Sequence, residues 1–243
     1  AAFLLLFLLT QWNHWSGAME RDEGEYAYAA ELLRSGGMPY TESFMQKPPV
    51  IVYLYYMAQT IAASSVVPIR VLSSLFLLAT VVLTAWIACR RCGKVAGIAV
   101  LFFLPVLLTN PYLYPFAANT EKFMVLPMMG VLGLSTLFPS RVSLRYAMTA
   151  GALASMAVLT KPICIPILLC IFLFWIGSLL RENPHPSSLT VPISGWIAGA
   201  ALAGLILCLP ILVGGAWSDM WQCTVIFNRY YAQSLGLSFD YFY

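Results

Sequence analysis

Apolar residues fall in runs of roughly 15–25, separated by short polar loops, the rhythm of a chain that crosses a bilayer repeatedly as helices. The long runs cover residues 71–89, 95–110, 122–139, 146–160, 162–180 and 189–213. None alternates apolar and polar positions as an outer-membrane barrel strand would. The opening run, Phe3 to Leu9, is too short to span ~30 Å of hydrocarbon at 1.5 Å per residue. Without a small-residue cleavage pattern before the polar loop, it reads as a clipped first helix. The final stretch, from Leu235 to Tyr243, is polar and aromatic and closes no element. The chain is therefore expected to be the N-terminal part of a larger protein. Its expected divisions are a clipped helix (1–12), an outer loop with juxtamembrane helices (13–67), transmembrane helices (68–213) and the start of a further outer loop (214–243).

Composition narrows the class. Of 243 residues, 60% are hydrophobic and 9% charged, against about 25% charged in a soluble domain. A soluble enzyme and a disordered chain are excluded. A net charge of +3 supplies no basic stripe for nucleic acid.

Charge orients the runs, because short cytoplasmic loops are enriched in Lys and Arg. Placing Arg90-Arg91-Cys92-Gly93-Lys94, Arg141 to Arg145, and Arg181 inside sends 71–89, 122–139 and 162–180 inward and the other runs outward. The outer face then receives 13–47, 110–121, 160–162 and 214–243. Only one of the runs 48–64 and 71–89 can cross. Pro48-Pro49 and the interface-loving Tyr53, Tyr55 and Tyr56 mark 48–64 as an interfacial or re-entrant helix. If it crossed instead, every later loop would flip.

Six of the ten acidic residues lie between Glu20 and Glu42. The segment from Met19 opens a short amphipathic helix with Tyr26, Ala29, Ala30, Leu32 and Leu33 on its apolar face, stopped by Gly36-Gly37. Asp22-x-x-Glu25 reads as a capping box, a role compatible with an ionised, functional Asp22. Lys47, before the stiff Pro-Pro step, suits either a snorkelling anchor or a headgroup-phosphate contact. Arg70 at the outer start of the 71–89 helix, and Lys161 in Thr160-Lys161-Pro162, carry the same pair of readings. Asn119-Thr120-Glu121 opens the 122–139 helix, with Thr120 as cap and Glu121 favouring the dipole. Of the six cysteines, four lie in or against apolar runs, where they serve as small core residues. Cys89-x-x-Cys92 has metal-like spacing, but two Arg sit inside it and no second ligand pair follows. One topology thus brings a carboxylate pair (Asp22, Glu23) and three cations (Lys47, Arg70, Lys161) to one membrane face, a layout suited to an anionic lipid headgroup beside a general base.

In order, Asp22-Glu23-Gly24-Glu25-Tyr26-Ala27, Gly37-Met38-Pro39-Tyr40, Gln46-Lys47-Pro48-Pro49 and Ile69-Arg70-Val71-Leu72-Ser73-Ser74 resemble the N-terminal half of the protein mannosyltransferase and aminoarabinose transferase superfamily. Asn119-Thr120-Glu121 and Leu159-Thr160-Lys161 also resemble recurring features of that family, so the resemblance covers residues 1 to about 230. It implies a GT-C-like, all-α polytopic membrane protein of the bacterial inner (plasma) membrane, with its active site on the outer face. It implies a polyprenyl-phosphate sugar donor, a lipid, glycan or protein acceptor, and no nucleic acid. Asp22 would be the catalytic carboxylate with Glu23 its companion, Lys47 would meet the donor phosphate, and Arg70 would match an arginine important in the protein mannosyltransferases. Taken with the charge layout, Lys47, Arg70 and Lys161 are expected at the donor phosphate and Gln46, Asn119 and Glu121 along the site. The aminoarabinose transferases carry Glu where this chain has Gln46, so a divalent metal is unsupported and no cofactor is assigned. The protein mannosyltransferases carry His before the two prolines, so the acceptor stays open. A transporter or lipid flippase, or a non-catalytic membrane fragment, are the competing classes.

Overall fold

A computed structural model of the chain describes residues 7, 11–12, 15–63, 65–108, 116–138, 143–182 and 184–234. The expected first helix and the terminal 235–243 stretch therefore lie largely outside the described residues, as does Arg141. The structure is 81% helix with no strand among the described residues.

Among the described residues from Arg21 onward, ten α-helices follow one another: α1 (Arg21–Arg34), α2 (Val50–Ile61), α3 (Val67–Cys92), α4 (Lys94–Leu108), α5 (Thr120–Leu137), α6 (Leu144–Val158), α7 (Ile165–Glu182), α8 (Thr190–Val213), α9 (Trp217–Trp221) and α10 (Phe227–Ser234). Short 3-10 turns precede α7 and α8, and a π-helical turn, Gln222–Ile226, joins α9 to α10. Among the described residues, three stretches are long and apolar enough to cross a membrane: Val67–Cys92, Pro162–Glu182 and Ser187–Val213. They measure about 39, 32 and 40 Å at 1.5 Å per residue. Helix α2 has 12 residues, about 18 Å, which is too short to cross. Helices α4 and α6, with 15 residues each, fall short of the roughly 17–25 residues of a spanning helix, and α5, with 18, lies at the lower end of that range.

Close contacts give the relative helix directions. Gly97 of α4 sits against Ala85 and Cys89 of α3, which puts those two helices antiparallel across Gly93 (φ 95°). Phe76 meets Phe123, and Ile87 meets Gly133, so α3 and α5 run parallel. Gly195 lies on Ala147, and Gly199 on Met148, so α6 and α8 also run parallel. This up-down alternation is the one that the basic loops imply.

Helices α6 and α8 approach closely because small residues face each other. A Cβ at Gly151 would lie 1.9 Å from the Trp196 carbonyl oxygen, and one at Gly199 would lie 2.0 Å from that of Met148. Where lipid gives helices no hydrophobic reason to associate, such backbone proximity is what joins them. The outer faces of α7 and α8 stay apolar and exposed, with Ile167, Leu169, Leu173 and Phe174 on one and Ile197, Leu202, Leu205 and Ile206 on the other. A face of that size belongs against hydrocarbon or protein rather than water.

The largest core lies at the end of the bundle where α1 and α2 rest. Tyr26, Ala29 and Ala30 of α1 pack on Ile51, Leu54 and Tyr55 of α2, with Ile69 of α3, Phe123 of α5 and Ile211 of α8. The two short helices are therefore built into the bundle through one apolar face. Gln11, buried under the same end, accepts from Ser74 of α3 at 3.4 Å.

Candidate functional site

The first turn of α1 departs from the expected capping box. The cap is Glu20, not Asp22. Its carboxylate accepts from the Asp22 N–H at 2.8 Å, and Glu23 Oε2 accepts from the Glu20 N–H at 2.9 Å. The box sits two residues earlier than Asp22-x-x-Glu25 suggested, because a glutamate fills a position usually held by Ser, Thr, Asp or Asn. This relieves Asp22 of capping. Its side chain is 25% exposed, and its carboxylate accepts from its neighbour Arg21, at 3.3–3.4 Å.

Glu23 and Arg70 turn inward instead of reaching the surface. Both side chains are essentially inaccessible, at 0% and 1% exposure, and they pair in a two-pronged contact: Nη2 to Oε2 at 2.6 Å and Nε to Oε1 at 3.0 Å. The Ala118 N–H also donates to Glu23 Oε1, at 2.7 Å. Arg70 donates further to the Gly17 carbonyl at 2.9 Å and the Ala18 carbonyl at 2.7 Å, and it stands over the Phe116 ring at 6.0 Å. Burial acts to raise the pKa of Glu23, but Arg70 and the amides of Ala118 and Glu20 outweigh it and hold the carboxyl below its ordinary value. Helix α3 starts at Val67, so Arg70 lies one turn inside it. The pair ties the 17–23 segment, α3 and the 116–118 loop together. The structure thus places Arg70, expected to meet the donor phosphate, and Glu23, expected as the companion of the catalytic carboxylate, in a buried pair with each other and not on the surface.

The remaining charges gather around Lys47. Lys47 is half-buried. Burial and the nearby Lys161 push its pKa down, while Asp22, Glu25 and Glu121 oppose that. Tyr26 carries a matching signature: burial first, then Asp22, Glu25 and Glu121, raise its hydroxyl well above the ordinary value. Asp22, Glu25, Glu121, Lys47 and Lys161 therefore share one electrostatic neighbourhood although they come from α1, the 38–49 loop, α5 and the turn before α7. Lys161 has no acidic neighbour in sequence, yet it forms an ion pair with Glu121.

Helix α5 begins at Thr120. Asn119 holds the cap position without a capping hydrogen bond, so Thr120 is not the cap. The Asn119 Oδ1 is buried without a partner. Gln46 N–H donates to Glu25 Oε1 at 3.1 Å, which brings Glu25 into the site. In the sequence Glu25 stands out only as a capping residue and as part of the Asp22–Ala27 motif, because its contact with Gln46 joins positions 21 apart. No group of three or more His, Cys, Asp or Glu side chains is placed to hold a metal among the described residues.

Beside this cluster an apolar groove of about 690 Å³ runs between α6, α7 and α8. Leu159 and Ile165, which flank Lys161 in sequence, line it, as do Trp196, Leu212 and Trp217. From Trp196 to Leu212 the groove follows 16 residues of α8, roughly 24 Å, more than the ~15 Å of one leaflet's hydrocarbon.

Comparison of the chain with known protein families, with curated proteins and with solved structures finds no match.

Proposed function

We propose that this chain acts in sugar transfer from a polyprenyl-phosphate donor, with an inverting single displacement and Asp22 as general base. One observation carries the reading: a partly exposed carboxylate, Asp22, shares a charged neighbourhood with Lys47 and Lys161 at the end of a helix bundle, beside an apolar groove longer than one leaflet. In this reading the helices cross the membrane, and the cluster stands at the outer headgroup level.

The acceptor hydroxyl or amine attacks the anomeric carbon and loses its proton to Asp22. The bond from that carbon to the donor phosphate oxygen breaks, and the polyprenyl phosphate leaves with the electron pair. Negative charge grows on the leaving oxygen, where Lys47, and Lys161 on release from Glu121, stabilise it; fixed charges act most strongly where water is scarce. The Glu23–Arg70 pair positions α1, and so Asp22, without touching the donor.

The test is transfer by the chain in lipid nanodiscs supplied with a polyprenyl-phosphate sugar. Asp22→Asn should lower transfer by about 10²–10⁴-fold, the worth of a general base, while its membrane insertion and thermal midpoint match the parent. Near-parental transfer by that variant would refute the assignment.

A further inference from the structure

The segment that carries Lys47 is held from both sides. Tyr40 is the one non-glycine residue with positive φ (77°) among the described residues. It is 5% exposed, and its hydroxyl donates to the Lys47 carbonyl at 2.9 Å. A bulky residue in the left-handed region is strained and persists only where its surroundings over-determine it. From the other side, Asn228 Nδ2 donates to the Gln46 carbonyl at 3.0 Å and to the Thr224 carbonyl at 2.8 Å. The π-helical turn Gln222–Ile226 lies just before Asn228, and such wide turns re-aim the side chains that follow them. Two more contacts brace this approach: Thr41 Oγ1 donates to Asp219 at 2.7 Å, and Phe44 meets Phe227 edge-on at 4.6 Å. Glu25 takes the Gln46 N–H, so the residue before Lys47 is held at both its N–H and its carbonyl, and Lys47 at its own carbonyl, before the Pro48-Pro49 step begins.

We infer that Tyr40 and Asn228 are positioning residues for Lys47: together they fix the two carbonyls that flank its Cα, so that its ammonium is presented to the charged cluster and not to open solvent. Asn228 lies 181 positions from Lys47 in sequence, so the terminal α9–α10 segment becomes part of the site. For its link to donor binding, the inference rests on the proposed sugar transfer; the placement of Lys47 can be tested without it.

The experiment follows the reaction of Lys47 with an amine-specific acylating reagent across pH, read by mass spectrometry of the whole chain in nanodiscs. Exposed Lys94, at the start of α4, is the internal reference for reagent reactivity. In the parent, Lys47 should titrate below the ordinary lysine range. In Tyr40→Phe, which removes one hydroxyl, and in Asn228→Leu, which removes the bridging amide, the Lys47 midpoint should rise toward that ordinary range while the Lys94 profile stays unchanged. Asn228→Gln, which keeps the amide donor, should restore part of the difference. An unshifted Lys47 midpoint in Tyr40→Phe overturns the inference, and that variant decides the matter if Asn228→Leu does not fold. In the transfer assay, each loss should lower kcat/KM about five- to tenfold, the worth of one neutral hydrogen bond, with kcat falling because Lys47 acts on the charge that grows on the leaving oxygen. If the parent shows no transfer but the Lys47 midpoint shifts as described, the proposed reaction fails and the positioning role stands.

Discussion

At the scale of single residues, the Glu23–Arg70 pair carries the greatest energetic weight. Each charge is buried, and each has its hydrogen-bonding capacity used by the other and by nearby backbone groups. Removing one member leaves the other uncompensated, which typically costs about 3–5 kcal/mol. Arg70→Met should therefore destabilise the chain by that order, read as a lowered denaturation midpoint in detergent. An unchanged midpoint would mean the pair is not buried as described. The pair also sets a pH dependence. Glu23 has its pKa lowered by folding, so its contribution is fully present above the ordinary glutamate range and is lost as pH falls through it, near pH 4 and below. Hydrogen exchange of the α1 backbone amides, followed against pH and corrected for the intrinsic rate, should accelerate on that acid side. This pairing was not legible in the chain, because the partners are 47 positions apart and each has a plausible surface role. The Glu121–Lys161 pair, 40 positions apart, hid for the same reason. Asp22, by contrast, stood out from its motif, and the structure leaves its carboxylate partly open.

At the scale of elements, the helices themselves were largely legible. Hydrophobic runs located them to within a few residues, and the basic loops implied the relative directions that the contacts now give. Two features escaped. Nothing in the composition of α1 marks Glu20 as its cap, since glutamate rarely serves there. Nothing local marks the left-handed backbone of Tyr40 or the π-turn before Asn228, because packing from distant segments imposes both. The α6–α8 contact is the element-level feature open to test. In an isolated helix, Gly→Ala gains about 1 kcal/mol of propensity. At Gly151 or Gly199 the added Cβ would meet backbone within 2.0 Å, and backbone cannot swing aside as a flexible side chain can. Overpacking of this kind costs about 1–3 kcal/mol or more, so the steric term wins. Gly199→Ala should lower the unfolding midpoint in detergent, whereas Gly177→Ala, with nothing within 4 Å of the new Cβ, should leave it level or raise it. Equal responses at the two positions would contradict the close helix contact.

At the scale of the whole molecule, the charges sort to two ends. Arg90, Arg91, Lys94, Arg145 and Arg181 lie by the turns that close the bundle at one end. Glu121 and Lys161 pair at the other, with Asp22 and Lys47 within electrostatic reach, and the residues that flank Lys161 line the apolar groove. With α3 about 39 Å long, a bilayer fits between the two ends, and the account requires that it does. Sidedness tests this most directly. In a background with its native cysteines replaced, Asp22→Cys, Lys47→Cys and Lys94→Cys would be treated with a membrane-impermeant maleimide in sealed vesicles of known orientation. Labelling of positions 22 and 47 from the same side, with position 94 reacting only from the opposite side, is the predicted result. Labelling of 22 and 47 from opposite sides would contradict it.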